Sequence, residues 1–228
     1  MNQSYKTIYL TKIYKFFVLF YNYNEKTNCF LYFVRGYVMG EKWIAVIGSP
    51  RRGKNTDSMV NYVIEGLNEK NISVDKFFLS GSNISTCTGC EYCIKTGICI
   101  IQDEITEIIN NMKKVDGYIF ASPAYNYNMT AQMKALLDRT FCLNDYTNGW
   151  KSSLPPGKKA IIVGICSGET KESMGYTVEG ISMPLSELGV KIIDTIEYYN
   201  TKHKPVANND NIREKIIHRI RNHFYRDL

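Results

Sequence analysis

From residue 43 onward, short apolar runs alternate with segments of helical period, and no other feature constrains the fold of this chain as strongly. Trp43–Ile47 is a continuous apolar run ending at Gly48-Ser49-Pro50, the pattern of a strand buried on both faces of a parallel sheet. Asn55 or Thr56 is placed to cap the next helix, whose Met59, Val60, Val63, Ile64 and Leu67 share one face. Val74–Leu79, Gly117–Ala121, Ala160–Ile165 and Val190–Ile196 read as four more strands. Helices are expected from about Asp103, where Ile105, Ile108, Ile109 and Met112 recur on one side, then over Thr130–Phe141 and the glycine-interrupted Ser173–Leu188. Ile212, Ile216, Ile217, Ile220 and Phe224 place a last helix against the core.

Five strands alternating with helices predict an α/β fold, a doubly wound five-stranded parallel sheet of flavodoxin-like order with helices on both faces. Ligands of such sheets bind beyond the carboxyl ends of the strands, where the winding reverses. Three loops are expected there: Gly48–Thr56, Ser122–Met129 and Cys166–Thr170.

A chain of 228 residues is long enough for one full core, and residues 39–228 are expected to form it. The formal charge of +6 is concentrated at the start, where Lys6, Lys12, Lys15, Lys26 and Arg35 face Glu25 alone. The rest carries too small an excess to mark a nucleic-acid surface. Residues 1–38 are also crowded with Tyr and Phe without a clear period, and their apolar runs Ile13–Tyr21 and Phe30–Val34 fall short of the roughly 18–20 residues of a membrane span. This segment reads as a disordered leader or an over-called start ahead of Met39, with an interfacial membrane anchor as the alternative. An odd cysteine count and no secretory signal point to a reducing, cytoplasmic compartment.

Gly48-Ser49-Pro50-Arg51-Arg52-Gly53-Lys54-Asn55-Thr56 leads from a strand into a helix and is rich in donors. Helix-start amides, the hydroxyls of Ser49 and Thr56, the Asn55 amide and the Arg51 guanidinium suit a phosphate dianion. Gly48, Gly53 and Lys54 also fit the nucleoside-triphosphate loop G-x-x-x-x-G-K, but Asn55 replaces the Ser or Thr that ligates magnesium. The strand beginning at Gly117 has Asp116 at its start and lacks the terminal Asp of a magnesium site.

Gly48-Ser49-Pro50-Arg51 followed by Asn55-Thr56 resembles the phosphate loop of the NADPH-dependent FMN reductase family. Ser122-Pro123-Ala124-Tyr125-Asn126-Tyr127-Asn128-Met129, then Ala131-Gln132-Met133-Lys134 and Asp138-Arg139, resembles the same family's second signature, along the isoalloxazine ring. The resemblance implies FMN held by Ser49, Arg51, Lys54, Asn55, Thr56, Pro123, Ala124, Tyr125, Asn126, Tyr127 and Met129, with Ser167 and Gly168 at the ring's other edge. Lys54 departs from the small residue of many relatives and adds a cation near the phosphate.

Cys87, Cys90, Cys93 and Cys99 form a compact CxxCxxCxxxxxC run, with Gly89 and Gly97 to let the chain wrap a ligand. An iron–sulfur cube, a zinc ion and metal-free thiols all remain open on spacing, although structural zinc more often joins two separated pairs. The run resembles the iron–sulfur flavoprotein branch of the same family, which implies a [4Fe-4S] cluster beside FMN with these four cysteines as ligands. Cys29, Cys142 and Cys166 read as bystanders, and His203, His218 and His223 as a solvated face.

No nucleophile, acid and base constellation is apparent, and a flavin enzyme needs none. The expected function is an FMN-dependent redox protein: a reductase taking electrons from NAD(P)H to a small-molecule acceptor, or an electron carrier served by a ferredoxin-like donor. A nucleotide hydrolase is the remaining alternative. A homodimer or homotetramer is expected from the resemblance, without nucleic acid or stable membrane insertion.

Overall fold

The computed structural model describes residues 40–81 and 83–224, and the backbone of three strands before them. β1 (Lys6–Leu10), β2 (Phe17–Tyr21) and β3 (Tyr32–Arg35) pair antiparallel in that order, although their residues show no clear period. They belong to a unit of their own, Met1–Gly40 with Leu228. The remainder of residues 1–38, and with it the expectation of a disordered leader or over-called start, lies outside the described residues.

The second unit, Glu41–Asp227, follows the alternation of the sequence. β4 (Lys42–Ile47) leads into α1 (Asn55–Asn68) and β5 (Ser73–Phe78), then the short α2 (Tyr92–Thr96) and α3 (Glu104–Lys114). β6 (Gly117–Pro123) is followed by α4 (Ala131–Arg139), a 3-10 turn Thr140–Leu143, and a small hairpin of β7 (Asn144–Asp145) and β8 (Lys151–Ser152). β9 (Lys159–Ile165), α5 (Thr177–Glu187), β10 (Lys191–Tyr198) and α6 (Asp210–His223) complete it.

Five strands make one parallel sheet in the order β10-β9-β6-β4-β5. The first strand of the unit thus lies inside the sheet, with its successor on one side and β6 on the other, the flavodoxin-like order with its switch between β4 and β6. Alternation along the strands divides the core. Ile44, Val46, Tyr118, Phe120 and Ile162 face α3, α4 and α5; Trp43, Ala45, Ile47, Ile119 and Ile161 face α1 and α6. Both faces are apolar because both are covered, which is why the central strands carry no polar alternation.

The extended run Thr130–Phe141 resolves into helix plus 3-10 turn, and Ser173–Leu188 into a 3-10 turn Lys171–Ser173 and α5. At α1 the sequence reading needs correction. The N-cap is Lys54, without a side-chain cap hydrogen bond, and Asn55 and Thr56 lie in the first turn. Asn55 is diverted to the far end of the chain, its Oδ1 accepting from the Val206 amide at 2.9 Å. His223 also departs from expectation, its Nε2 standing 2.9 Å from the buried Asp194 carboxylate that Arg219 grips with two nitrogens.

Candidate functional site

Loops leaving β4, β6 and β9 meet at the carboxyl edge of the sheet and are tied to one another. The Gly48 amide donates to the Ala121 carbonyl at 2.8 Å, and the Thr130 hydroxyl donates to the Gly48 carbonyl at 3.0 Å. Thr130 also caps α4, accepting from the Met133 amide. A Cβ on residue 48 would lie 2.7 Å from that hydroxyl oxygen, so the tie requires glycine. The Ala124 amide donates to the Ile165 carbonyl at 2.7 Å, and the Asn200 amide to the Gly168 carbonyl at 2.6 Å, joining the other two loops to β9 and the end of β10.

In the first loop Ser49 and Thr56 are buried, whereas Arg51, Arg52, Gly53 and Lys54 are exposed. Arg52 stacks its guanidinium 4.5 Å above the Phe78 ring, leaving Arg51 as the arginine not committed to that ring. Asp57, a buried carboxylate in the first turn of α1, accepts from the Gly53 amide at 2.7 Å and pairs with Lys76 at 2.5 Å. That pairing offsets a negative charge that would otherwise oppose an anion at the helix start. A fourteen-residue helix beginning without a side-chain cap, beside two hydroxyls and surface cations, matches the donor set of a phosphate monoester.

The second loop is a two-residue turn. Tyr125 and Asn128 exchange backbone hydrogen bonds of 2.7 and 3.2 Å across Asn126 and Tyr127, both at positive φ (48° and 65°), a mirror-image turn normally built from Asn and Gly. It presents Tyr125 and Tyr127 to solvent while Pro123 and Met129 are buried and Ala124 half-buried. The Tyr127 carbonyl accepts from the Tyr176 amide at 2.8 Å, fixing the turn against the start of α5. In the third loop Ser167 is exposed, and the Gly168 carbonyl also receives the thiol of buried Cys166. A flat ligand along this edge meets aromatic faces, amides and one thioether, which suits an isoalloxazine.

The cysteine run lies between β5 and α3. Cys87, Cys90, Cys93 and Cys99 all line one cavity of about 330 Å³. The Gly89 amide approaches the Cys87 sulfur at 3.5 Å, and positive φ at Gly89 (66°), Glu91 (57°) and Gly97 (68°) turns the chain around the cavity. Burial pushes the Cys93 thiol up against a backbone hydrogen bond that lowers it, and Cys99, Cys87 and Cys90 push it further. Among the described residues no three His, Cys, Asp or Glu side chains converge on a point able to hold a single metal ion.

Four contributors to this cavity were not expected from the sequence. Cys142, read there as a bystander, is buried in the cavity wall, and burial together with Cys99 and Cys93 pushes its thiol up to about 11. Phe141 of the 3-10 turn and Trp150 of the β7–β8 hairpin also line it, forming with Tyr146 a ring cluster with centroids 4.6 to 6.1 Å apart. Arg139, quoted in the second signature without an assigned role, closes the base. Its Nη1 donates to Asp103 at 2.5 Å and to the Ser85 carbonyl at 3.2 Å; its Nη2 donates to the Ile101 carbonyl and the Thr106 hydroxyl, each at 2.8 Å. Both arms of the cysteine loop are thereby clamped to one buried guanidinium.

Burial works against the charge of Arg139, but the hydrogen bond to Asp103 and the negative charges of Cys99 and Asp103 beside it outweigh burial and hold the group protonated. Burial likewise opposes ionisation of Asp103, and the Arg139 hydrogen bond, the Ser85 amide and the guanidinium charge overcome it, holding the carboxyl below its usual range. Asp103 also caps α3, accepting from the amides of Ile105 and Thr106. Helix α4 connects the two regions: Thr130 caps it at the second loop and Arg139 ends it at the cysteine cavity. At 1.5 Å per residue the helix covers about 12 Å.

The sequence model of the NADPH-dependent FMN reductases matches residues 42–207, from β4 to just before α6. The chain belongs to that family. It is 35% identical over 102 residues to an iron–sulfur flavoprotein of Methanosarcina thermophila, a match covering 45% of this chain and 53% of that protein. An iron–sulfur flavoprotein of Archaeoglobus fulgidus is 36% identical over 98 residues, covering 43% and 44%. The chain spans about half the length of these curated relatives. Among solved structures, NAD(P)H:quinone oxidoreductase from Methanothermobacter marburgensis shares the fold with a TM-score of 0.56 at 17% identity, over 80% of this chain and 94% of that one. The flavodoxin-like architecture and both loop signatures therefore fall inside the family match.

Proposed function

We propose that this chain is an FMN-dependent oxidoreductase of the iron–sulfur flavoprotein type. The observation that carries the reading is the gathering of all four motif cysteines around one cavity, joined by α4 to a donor-rich loop set at the sheet's switch point. Ser49, Arg51, Lys54 and the amides of Asn55 and Thr56 would hold the FMN phosphate. Pro123, Ala124, Tyr125, Asn126, Tyr127 and Met129 would form the wall along the ring, with Ser167 and Gly168 at its other edge. Cys87, Cys90, Cys93 and Cys99 would ligate a [4Fe-4S] cluster.

The donor set favours a cluster over zinc. A zinc ion needs its thiolates gathered about 2.3 Å from one point, whereas a cube spreads four ligands over four corners. Four thiols of one compact run, lining a single cavity of about 330 Å³, fit the second arrangement. When bound, FMN supplies two-electron exchange with a nicotinamide and one-electron exchange with a cluster. The chain's own residues orient the flavin and exclude water beneath it. The exposed tyrosines leave one side open to a donor, NAD(P)H or a ferredoxin-like protein, and to a small-molecule acceptor. The protein acts in the cytoplasm as a homodimer or homotetramer.

The test is anaerobic purification of the full chain with flavin, iron and sulfide analysis on one sample. The expected result is one FMN with about four irons and four sulfides per chain. Flavin without iron after a reconstitution attempt overturns the cluster and leaves a simple FMN reductase. If neither NADH nor NADPH bleaches the bound flavin, the electron-carrier reading replaces the reductase.

A further inference from the structure

Among the described residues only two buried side-chain nitrogen or oxygen atoms lack a hydrogen-bond partner, and one is Nε of Arg139. A buried charged donor left unpaired is destabilising, so such an atom calls for an explanation. Arg139 is 2% exposed and its two Nη groups are committed to Ser85, Asp103, Ile101 and Thr106. Because the guanidinium is a rigid plane, those four bonds fix where the Nε–H points. The same residue lines the cavity that holds Cys99.

We infer that the Nε–H of Arg139 donates a hydrogen bond to a sulfur of the cluster held in this cavity, at the Cys99 corner, making Arg139 a positioning residue that raises the cluster's reduction potential. The inference rests on the cluster reading above. A cluster sulfur gains negative charge on reduction, and a donor aimed at it favours the reduced form. Asp103 sets the guanidinium in place and keeps it charged, so the pair acts as a brace whose working atom is Nε. Because Arg139 ends the helix that Thr130 caps at the flavin loop, the atom that tunes the cluster is carried on the element connecting the two sites.

Two measurements on anaerobically purified full chain test this. In an electron-paramagnetic-resonance redox titration, Arg139→Lys, which keeps a cation but removes the Nε–H, is expected to weaken one-electron reduction about tenfold, a downward shift of about 59 mV. In wild-type protein labelled with 15N-arginine, the reduced cluster is expected to show a 15N hyperfine coupling that Arg139→Lys lacks. An unmoved potential, or no 15N coupling in a wild-type protein that contains the cluster, overturns the inference while leaving the cluster reading intact. Wild-type protein that takes up no iron or sulfide overturns both. Should Arg139→Lys fail to fold or to keep iron, the wild-type 15N coupling decides alone.

Discussion

Gly175 presses against the carbonyl of Tyr127: a Cβ at position 175 would stand 2.0 Å from that oxygen, and the residue's φ is +54°. The contact joins the turn carrying the two exposed tyrosines to the segment entering α5, next to the Tyr176 amide that bonds the same oxygen at 2.8 Å. Close approach and left-handed backbone both require glycine here.

Gly175→Ala must therefore displace the Tyr125–Asn128 turn or strain its own backbone, at about 1–3 kcal/mol. With the turn as the wall of the flavin site, FMN binding is expected to weaken about tenfold or more while far-ultraviolet circular dichroism stays that of the wild type. Flavin-fluorescence titration of the apoprotein checks it. Unchanged affinity would remove the turn from the flavin site.

Thr130 ties the first two loops together, donating to the Gly48 carbonyl and capping α4 at Met133. Thr130→Val keeps the shape and loses both bonds, leaving a buried carbonyl unpaired, and is expected to destabilise the apoprotein by about 1–3 kcal/mol. Thr130→Ser should recover most of that. Urea unfolding of the three proteins without flavin separates this hydrogen-bonding role from a packing role, in which Val would be neutral.

Asp103 supplies a pH dependence with a definite sign. Its folded carboxyl lies below its ordinary value because Arg139 and the Ser85 amide overcome the burial that opposes ionisation. Its contribution is therefore complete above the unfolded value of about 3.9 and is lost as pH falls through the lower folded value. Asp103→Asn keeps the α3 cap but leaves the buried guanidinium without its counter-ion, an expected loss of about 3–5 kcal/mol at neutral pH. Unfolding free energies of the two proteins should converge as pH drops below about 4. A gap that does not narrow as pH falls below about 4 would assign the effect to shape rather than charge.

The fold was legible because buried parallel strands are apolar on both sides, so Trp43–Ile47 and Ala160–Ile165 stand out against amphipathic helices. The meeting of the first two loops at the sheet's edge was legible through residue types fixed by backbone chemistry, Gly48 above all. Less could be read where function depends on distant pairing. Asn55 has the composition of a phosphate ligand, yet its carbonyl is spent on Val206, more than a hundred residues away. Cys142 and Arg139 sit on or beside α4, with nothing in their local pattern to associate them with cysteines some forty residues earlier. Asp103 was visible as a helix start, but its second oxygen's partner was not.

The phosphate loop can be tested apart from the ring wall. Arg51 is exposed at the mouth of an uncapped helix, and Arg52 is occupied by Phe78. If Arg51 reaches the phosphate, Arg51→Ala removes a charge-assisted hydrogen bond worth about 1.5–3 kcal/mol in a shielded setting, and less at this exposed position. FMN affinity is then expected to fall about tenfold, whereas riboflavin, which shares the ring and lacks the phosphate, should bind both proteins equally. Arg52→Ala serves as the control, with a smaller effect on FMN because its guanidinium lies over a ring. Equal losses for FMN and riboflavin in Arg51→Ala would mean that this arginine shapes the loop and does not contact the phosphate. A larger loss in Arg52→Ala would mean that its stacking on Phe78 gives way when the anion arrives.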